Sequence, residues 1–461
     1  MTERNQSSPC RSVIAITGVV WTRFFWICAI APIAPLAAQS DYVVQAAPGT
    51  DFGSLASKYQ LSVVKSDSTA TTVLGAFSSA QPLSSSTLAM LGAEPGVSAV
   101  DPNTLVKSPE ADSSSRATAS LMTLGGLLGI HTATTYYGEQ VLSTYVNQPA
   151  TGVIKLSKAL STFGAGGGVV AIIDTGVDTS HPALAGVLLP GYDFTRQRPD
   201  TVSELNDVSS LVGQALQQSA VQTLSSTKVV PVLAESTVEI LDESTVEILD
   251  GQTLPADFGH GTMMAGLVHL VAPQAQILPL KAFQADGTAQ LIDIAASIYY
   301  AVDHGANVIN MSFGYPQSSE ILTKAIMYAQ AHGVICVSSS GNQGLQVAEY
   351  PEAYTLVEGV GSTDYFDRRS LFSNYGPWTG TAAPGEGLIT LFPGGTYAAG
   401  WGTSFSTALV SGAAALMLNI NPALSAGLFQ TAINQGAPIN QGMGPARLDL
   451  MRSLSYLLQL H

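Results

Sequence analysis

The strongest constraint on the fold of this chain is a series of short apolar runs that alternate with helical segments from about residue 150 onward. Continuous apolar runs are typical of strands buried on both faces of a sheet, and intervening helices favour parallel strands. The pattern predicts a three-layer α/β/α fold with a mostly parallel sheet. The strand candidates are Val169–Ile173, Ile277–Lys281, Val308–Met311 and Val334–Val337, and the helix candidates are Leu291–Asp303 and Ser319–Ala331.

A smaller unit precedes this region. Residues 41–106 alternate strand patterns, such as Tyr42–Val44 and Thr72–Phe77, with a helical pattern at Leu83–Leu91. This mixture predicts a small α+β domain. A stretch rich in Ser, Ala and Thr follows at 107–120, so we expect an exposed linker between the two units, extending over residues 107–150.

The N-terminus has the features of an export signal. After two arginines, Phe24–Ala38 is an uncharged, mostly apolar run of 15 residues that ends in small residues. We therefore predict a signal peptide over residues 1–38 and a secreted, periplasmic or cell-envelope protein. An uncleaved membrane anchor is the alternative, although Pro32 and Pro35 interrupt the run and it is short for a spanning helix. We expect no stable membrane insertion after cleavage.

The net charge of −15, with only 18 Lys and Arg, excludes the basic surface that nucleic-acid binding needs. Residues 196–256 interrupt the α/β pattern with a perfect tandem octapeptide, Glu235–Asp242 and Glu243–Asp250, which holds six acidic residues. Two short copies are too few for a solenoid, so we interpret the segment as a surface insertion, such as an acidic hairpin. A regulatory or binding role stays open.

Three segments carry chemistry. Asp174 ends an apolar strand pattern, His260 lies between glycines before a helical stretch, and Ser404 precedes a helix of small residues. These positions meet at one edge of a parallel sheet. A serine needs a base to remove its proton, and a histidine needs a buried carboxylate to fix its tautomer. Asn342, after the strand candidate at Val334, can donate its side-chain amide to an oxyanion.

The chain order Asp, His, Asn, Ser resembles that of the subtilisin-like serine proteases. The likeness covers roughly residues 150–460 apart from the insertion, and it includes Val308–Gly314, Tyr350-Pro351, Phe372–Gly376 and Ala383–Gly385. It implies a catalytic domain over 151–461, with Asp174, His260 and Ser404 as the triad and Asn342 as the oxyanion donor. It also implies that residues 41–106 form a ferredoxin-like propeptide that inhibits the enzyme until it is cut off between about 107 and 150.

The resemblance further implies how substrate binds. Ser312, Phe313 and Gly314 form an edge that pairs with an extended peptide, and the segment from Gln284 to Gly287 forms the other side. Gly341 borders the S1 pocket. Glu349 stands where the family often has glycine at the base of S1, which suggests a preference for Lys or Arg at P1. A carboxylate that points to solvent is the alternative. The expected partners are protein or peptide substrates and the chain's own propeptide.

The sequence departs from the family pattern at Met263, Ala408 and Leu409, where the family usually has histidine, proline and histidine. The loop between Val268 and Val271 is too short for the calcium-binding loop of many subtilisins, so we expect no metal there and no organic cofactor. These departures motivate a rival hypothesis, a catalytically inactive relative that acts as a binding or inhibitory protein. The presence of all four catalytic residue types favours the enzyme.

Overall fold

The computed structural model describes residues 40–108, 132–214, 216, 238–240, 254–439 and 442–460, with the backbone alone for 40 and 238–240. The described residues belong to one compact unit, Gln39–His461. The predicted signal peptide, most of the predicted linker and most of the acidic insertion lie outside the described residues.

The N-terminal unit is a four-stranded antiparallel sheet with the strand order β2-β3-β1-β4 and two helices, which is the predicted ferredoxin-like α+β arrangement. Asp51 and Ser84 cap the two helices by accepting hydrogen bonds from backbone N–H groups. The elements are β1 (Ser40–Ala46), α1 (Phe52–Tyr59), β2 (Ser62–Ser68), β3 (Val73–Ser79), α2 (Ser85–Gly92) and β4 (Val97–Pro102).

The larger unit is built on a nine-stranded sheet of order β19-β20-β16-β15-β14-β13-β8-β11-β9, in which every pairing except β19–β20 is parallel. The predicted parallel sheet is confirmed. Its strands are β8 (Val169–Asp174), β9 (Tyr192–Asp193), β11 (Gln276–Lys281), β13 (Val308–Met311), β14 (Ile335–Ser339), β15 (Val357–Thr363), β16 (Thr379–Pro384), β19 (Ala437–Pro438) and β20 (Ala446–Arg447).

Two apolar cores, one on each face of the sheet, make the three layers. Helices α6 and α9 contribute to one core, and α7 and α8 contribute to the other. The α-helices of this unit are α3 (Ser143–Val146), α4 (Pro149–Val153), α5 (Leu156–Phe163), α6 (His260–Val271), α7 (Leu291–Asp303), α8 (Glu320–Ala331), α9 (Thr403–Ile420), α10 (Ala426–Ile433) and α11 (Leu450–Leu458). His304 and His332 are the C-cap residues of α7 and α8.

The remaining strands form three small sheets. The hairpin of β6 and β7 stands alone, β5 pairs with β12, and β10 joins the β17–β18 hairpin through Val238–Ile240 of the first octapeptide copy. Only this backbone segment of the acidic repeat is described. These strands are β5 (Leu105–Lys107), β6 (Ala133–Tyr136), β7 (Glu139–Leu142), β10 (Val238–Ile240), β12 (Thr288–Gln290), β17 (Leu388–Phe392) and β18 (Thr396–Gly400).

The predicted linker is too long at its C-terminal end. From β6 onward the chain packs into the main core, where Tyr136, Val141 and Tyr145 are buried. Tyr145 also donates a hydrogen bond to Gly266 O of α6 at 2.5 Å. The C-terminal boundary of the linker was predicted too late in the chain, because the aromatic residues that follow the low-complexity stretch carry enough apolar surface to join the core.

Helix α9 is long and apolar enough in composition to cross a membrane, but 89% of it is buried inside the protein. It runs through the core beneath the sheet, and its N-terminal turn carries Ser404.

Candidate active site

Asp174 is the last residue of β8, an interior strand of the sheet that lies between β13 and β11. Its side chain is buried. Oδ1 accepts hydrogen bonds from Thr175 N at 2.7 Å and from His260 Nδ1 at 2.7 Å. A carboxylate accepts hydrogen bonds only, so these donors satisfy it and hold it in one orientation.

His260 begins α6 directly after Gly259, whose φ of +89° lies in the left-handed region that glycine favours. Because Nδ1 donates to Asp174, the neutral ring carries its lone pair on Nε2. The imidazole also packs edge to face on Phe405, with 6.3 Å between ring centroids. The contact brings the start of α9 beside the imidazole.

Ser404 is the second residue of α9 and is fully buried. Its hydroxyl lies 3.3 Å from Ser312 O, at the end of the β13 segment. A backbone N–H in the first turn of a helix has no partner within the helix, and the helix dipole favours negative charge there. The position is therefore suited to a serine whose attack on a carbonyl group produces an oxyanion.

Asn342 follows β14 and faces the same helix start. Its Oδ1 accepts hydrogen bonds from Thr403 N at 2.9 Å and from Thr403 Oγ1 at 3.0 Å. These two donors fix the orientation of the amide, in which Nδ2 is the group that donates. A preoriented amide donor of this kind stabilises a tetrahedral oxyanion without reorganisation.

The tail of the N-terminal unit lies in a groove between two edges. Strand β5 pairs antiparallel with β12, and Lys107 pairs with Gly314 on the opposite side. Ser108 N donates to Gly287 O at 2.8 Å. The segments around Ser312–Gly314 and Gly287–Gln290 thus hold an extended peptide as a third strand between them.

Gln284 lies just before the paired edge. It is exposed at the start of a turn in which its N–H donates to Thr288 O at 2.8 Å, and the strand pairing is made by Thr288–Gln290. Gly287, at the end of the turn, is the first residue of this edge that bonds to the tail.

Glu349 lies beside this groove, next to Gly314 and Gly341. It is 8% exposed, and its Cδ lies 3.0 Å from the position that a Cβ on Gly341 would occupy. Its Oε2 would overlap a Cβ on Gly314. The carboxylate is therefore held between two glycines, at the base of the predicted S1 pocket, rather than pointing to solvent.

Two carboxylates near the site escaped sequence analysis. Asp257 accepts a hydrogen bond from Ser108 Oγ, which is a residue of the bound tail. Glu204 is completely buried beneath the Asp174–His260 pair and accepts a hydrogen bond from Thr175 Oγ1 at 2.5 Å. Burial raises the pKa of Glu204 to about 8, with hydrogen bonds from Thr175 and Thr262 opposing that effect and the Asp174 charge adding to it.

The three departures from the family pattern lie in the apolar core. Met263, Ala408 and Leu409 are all buried, and α9 runs without a break through the last two. Met263 keeps a regular helical backbone whose carbonyl accepts from Thr390 Oγ1 at 2.7 Å. Apolar packing thus takes the place of the polar residues that were expected here. Among the described residues, no group of three or more His, Cys, Asp or Glu could hold a metal ion.

An α/β/α domain with a buried Asp–His pair beside a helix-borne serine defines a protein of the serine-peptidase class. Residues 165–450 match the sequence model of the Subtilase family. The chain belongs to this family.

Named relatives agree with this assignment. The chain is 33% identical over 256 residues to a thermophilic serine proteinase of Bacillus sp. (strain AK1), covering 56% of this chain and 53% of the relative. It is 30% identical over 288 residues to thermitase of Thermoactinomyces vulgaris, covering 60% of this chain and 84% of the relative. The chain thus spans about half the length of the first of these relatives.

Among solved structures, fervidolysin from Fervidobacterium pennivorans, a keratinolytic enzyme related to subtilisin, aligns with a TM-score of 0.64 at 19% identity. The alignment covers 91% of this chain and 61% of fervidolysin. At this identity the likeness supports the fold alone.

Proposed function

We propose that this protein is a secreted serine endopeptidase that hydrolyses peptide bonds of extended protein substrates through an acyl-enzyme. The observation that carries the proposal is the 2.7 Å hydrogen bond between His260 Nδ1 and Asp174, made beside the helix start that bears Ser404. The bond fixes the tautomer in which Nε2 acts as a base.

In this mechanism Ser404 Oγ attacks the carbonyl carbon of the scissile bond, and its proton passes to His260 Nε2. The carbonyl oxygen becomes an oxyanion that accepts hydrogen bonds from Asn342 Nδ2 and from Ser404 N–H. His260 then gives the proton to the leaving amine, and the acyl group stays on Ser404. Water repeats the sequence and releases the acid, while Asp174 stabilises the imidazolium in both halves.

Substrate would bind as the β5 tail does, as a strand between Ser312–Gly314 and Gly287–Gln290. Backbone pairing of this type reads extended conformation more than sequence, which suits broad action on unfolded protein segments. Because the tail occupies the groove, we propose that residues 41–106 keep the chain in an inhibited zymogen form until the tail is cut.

The antiparallel pairing of Lys107 with Gly314 directs the tail towards Ser312, whose carbonyl lies 3.3 Å from Ser404 Oγ. The processing site would therefore follow closely after Ser108. Glu349 would pair with a basic P1 side chain, because opposite charges attract more strongly in a pocket that is shielded from water. We therefore propose a preference for Lys or Arg at P1 of protein substrates.

The rival proposal, an inactive relative that binds or inhibits, rests on the departures at Met263, Ala408 and Leu409. These side chains pack in the core, and none of them replaces a residue to which the mechanism assigns a proton or a hydrogen bond. The observed packing therefore favours the enzyme.

The test is covalent labelling with an arylsulfonyl fluoride, in which Ser404 Oγ bonds to sulfur, fluoride leaves and His260 takes the proton. Peptide mass spectrometry should find the label on Ser404 of the processed chain. It should be missing in Ser404→Ala and strongly reduced in His260→Ala. Equal labelling of all three chains, or labelling of none while peptide binding persists, would support the inactive relative.

A further inference from the structure

Glu204 is linked to the catalytic pair by a single side chain. Thr175 Oγ1 lies 2.5 Å from Glu204 Oε1 and 3.3 Å from Asp174 Oδ1, so one hydroxyl faces two carboxyl groups. A hydroxyl has one hydrogen to donate. It can therefore serve only one of the two carboxylates at a time.

Backbone N–H groups set the direction in which the hydroxyls of Thr175 and Thr262 donate. Gly261 N donates to Thr175 Oγ1 at 3.0 Å, and Asp178 N donates to Thr262 Oγ1 at 2.8 Å. Each hydroxyl thus already accepts a hydrogen bond and is left to donate, and both reach Glu204. Gly261 N also lies 3.1 Å from Glu204 Oε1.

The charges around this network come from four neighbouring elements. Asp174 ends β8, His260 opens α6, and Asp178 follows β8. Lys281, at the end of β11, is fully buried and donates to Thr175 O at 2.5 Å and to Asp207 Oδ2 at 2.7 Å. Arg196 pairs with the same Asp207. The structure thus shows Lys281 hydrogen-bonded to Thr175 O and Asp207, and not to Glu204.

We propose that Glu204 is a positioning residue that sets the basicity of His260 through Thr175 and Asp174, an inference that rests on the proposed peptidase function. When Glu204 is ionised, the Thr175 hydrogen points to Glu204 and leaves Asp174 a stronger acceptor for His260 Nδ1–H. When Glu204 is protonated, its own O–H donates to Thr175 Oγ1, and the Thr175 hydrogen turns to Asp174. The second state weakens the support that Asp174 gives to the imidazolium.

The switch should appear near pH 8, since burial raises the pKa of Glu204 to about 8. Loss of its proton adds a negative charge near the imidazolium and frees Asp174 from the Thr175 hydroxyl, and both effects favour the protonated ring in the transition state. The processed enzyme should therefore show a second rise in kcat/KM between pH 7 and 9, of about threefold, above the rise due to His260 alone.

The experiment is the pH profile of kcat/KM for the processed enzyme from pH 6 to 10, on one peptide substrate with an arginine at P1. Glu204→Gln keeps the shape of the side chain and should remove the second rise. Thr175→Val should remove it too, whereas Thr175→Ser, which keeps the hydroxyl, should restore it. Glu358→Gln is the matched control, because Glu358 is equally buried, has a pKa of about 8 and lies against Gly380. Its profile should match that of the native enzyme.

Superimposable profiles for native enzyme and Glu204→Gln would overturn the inference. So would a loss in Glu204→Gln that is uniform at every pH, since that pattern indicates a structural role only. If the native chain itself were inactive, the proposed function would fail separately. In that case nitrogen-15 NMR titration of His260 in Ser404→Ala still tests the link. Glu204→Gln should then abolish the perturbation of the His260 signal near pH 8, and an unchanged titration would refute the inference.

Discussion

Replacement of Glu349 by glutamine tests the proposed substrate preference most sharply. The change keeps the shape of the side chain but removes its charge from the pocket between Gly314 and Gly341. Glu352 lies nearby, and burial raises the pKa of its carboxyl well above the ordinary value, with the charges of Glu349 and Glu358 adding to that effect. This shift disfavours the charged form of Glu352.

The magnitude follows from the burial of Glu349, which is 8% exposed. Two unit charges about 4 Å apart attract by roughly 4 kcal/mol at an effective dielectric constant of about 20. Desolvation of both groups opposes this attraction. We therefore expect the charge to favour arginine over an uncharged P1 side chain by about 2 kcal/mol, which is roughly a 30-fold ratio of kcat/KM.

The assay compares kcat/KM for four fluorogenic peptides that differ only at P1, with arginine, lysine, phenylalanine or leucine. Glu349→Gln should lose about 30-fold on the basic peptides and change little on the apolar pair. Glu358→Gln is the control for loss of a buried glutamate elsewhere in the sheet. The reasoning is refuted if the native enzyme prefers phenylalanine or leucine, or if the variant loses activity equally on all four peptides.

Three further predictions follow from named contacts. Asp101 Oδ2 accepts hydrogen bonds from Ser319 Oγ at 2.7 Å and from Ile321 N at 2.8 Å at the start of α8. Asp101→Ala should therefore weaken inhibition by an added 41–108 fragment about tenfold or more in a titration of the processed enzyme. Unchanged inhibition would contradict a role of this contact in binding. Burial raises the pKa of Glu358 to about 8, so the folded state keeps a proton that the unfolded chain releases above about pH 4.5, and stability should fall as pH rises from about 4.5 to 8. In calorimetry of the Ser404→Ala chain, Glu358→Gln should therefore raise the melting temperature more at pH 9 than at pH 5. Equal shifts at both pH values would count against this prediction. Asp174→Asn should keep the fold but lower kcat by about 10⁴, because a neutral amide no longer holds His260 in the required tautomer. A loss of less than tenfold in the peptide assay would exclude Asp174 from the triad.

The sequence predicted those strands and helices whose apolar residues follow a regular pattern. The strand runs near Val169 and Val308 are buried on both faces and appear in the structure as β8 and β13. The ends of such strands are where side chains can reach a common edge, so the positions of Asp174 and His260 followed from strand and helix boundaries. In the structure the two side chains are joined by a hydrogen bond of 2.7 Å.

The residues that sequence analysis missed acquire their meaning only from distant partners. Glu204 belongs to a polar segment, Ser203–Asp207, that reads as an ordinary surface turn, yet its carboxylate is buried against Thr175 and Thr262. The groove residue Asp257 lies one turn before His260, and its contact is with Ser108, 149 positions earlier in the chain. No local pattern encodes either pairing, because tertiary packing alone brings these segments together.

The boundary after the N-terminal α+β unit was predicted less well. Polar low-complexity sequence gave no sign of where the catalytic unit resumes, and the hairpin of β6 and β7 is too short for a periodic signal. Its tyrosines become core residues only because α6 and the β17–β18 hairpin provide a surface for them, as shown by the hydrogen bond from Leu142 N to Tyr397 Oη at 3.1 Å.

The central claim is that Ser404, activated by His260, cuts peptide bonds, beginning with the chain's own tail. The most direct measurement is a time course of residues 39–461 beside the Ser404→Ala variant, followed by intact mass and N-terminal sequencing. The native chain should shed its N-terminal unit, give a new terminus between about residues 109 and 150 and then digest an unfolded protein substrate, while the variant stays whole. If both chains remain full length and inactive when folded, or if both are cut alike, Ser404 is not the nucleophile and the account is contradicted.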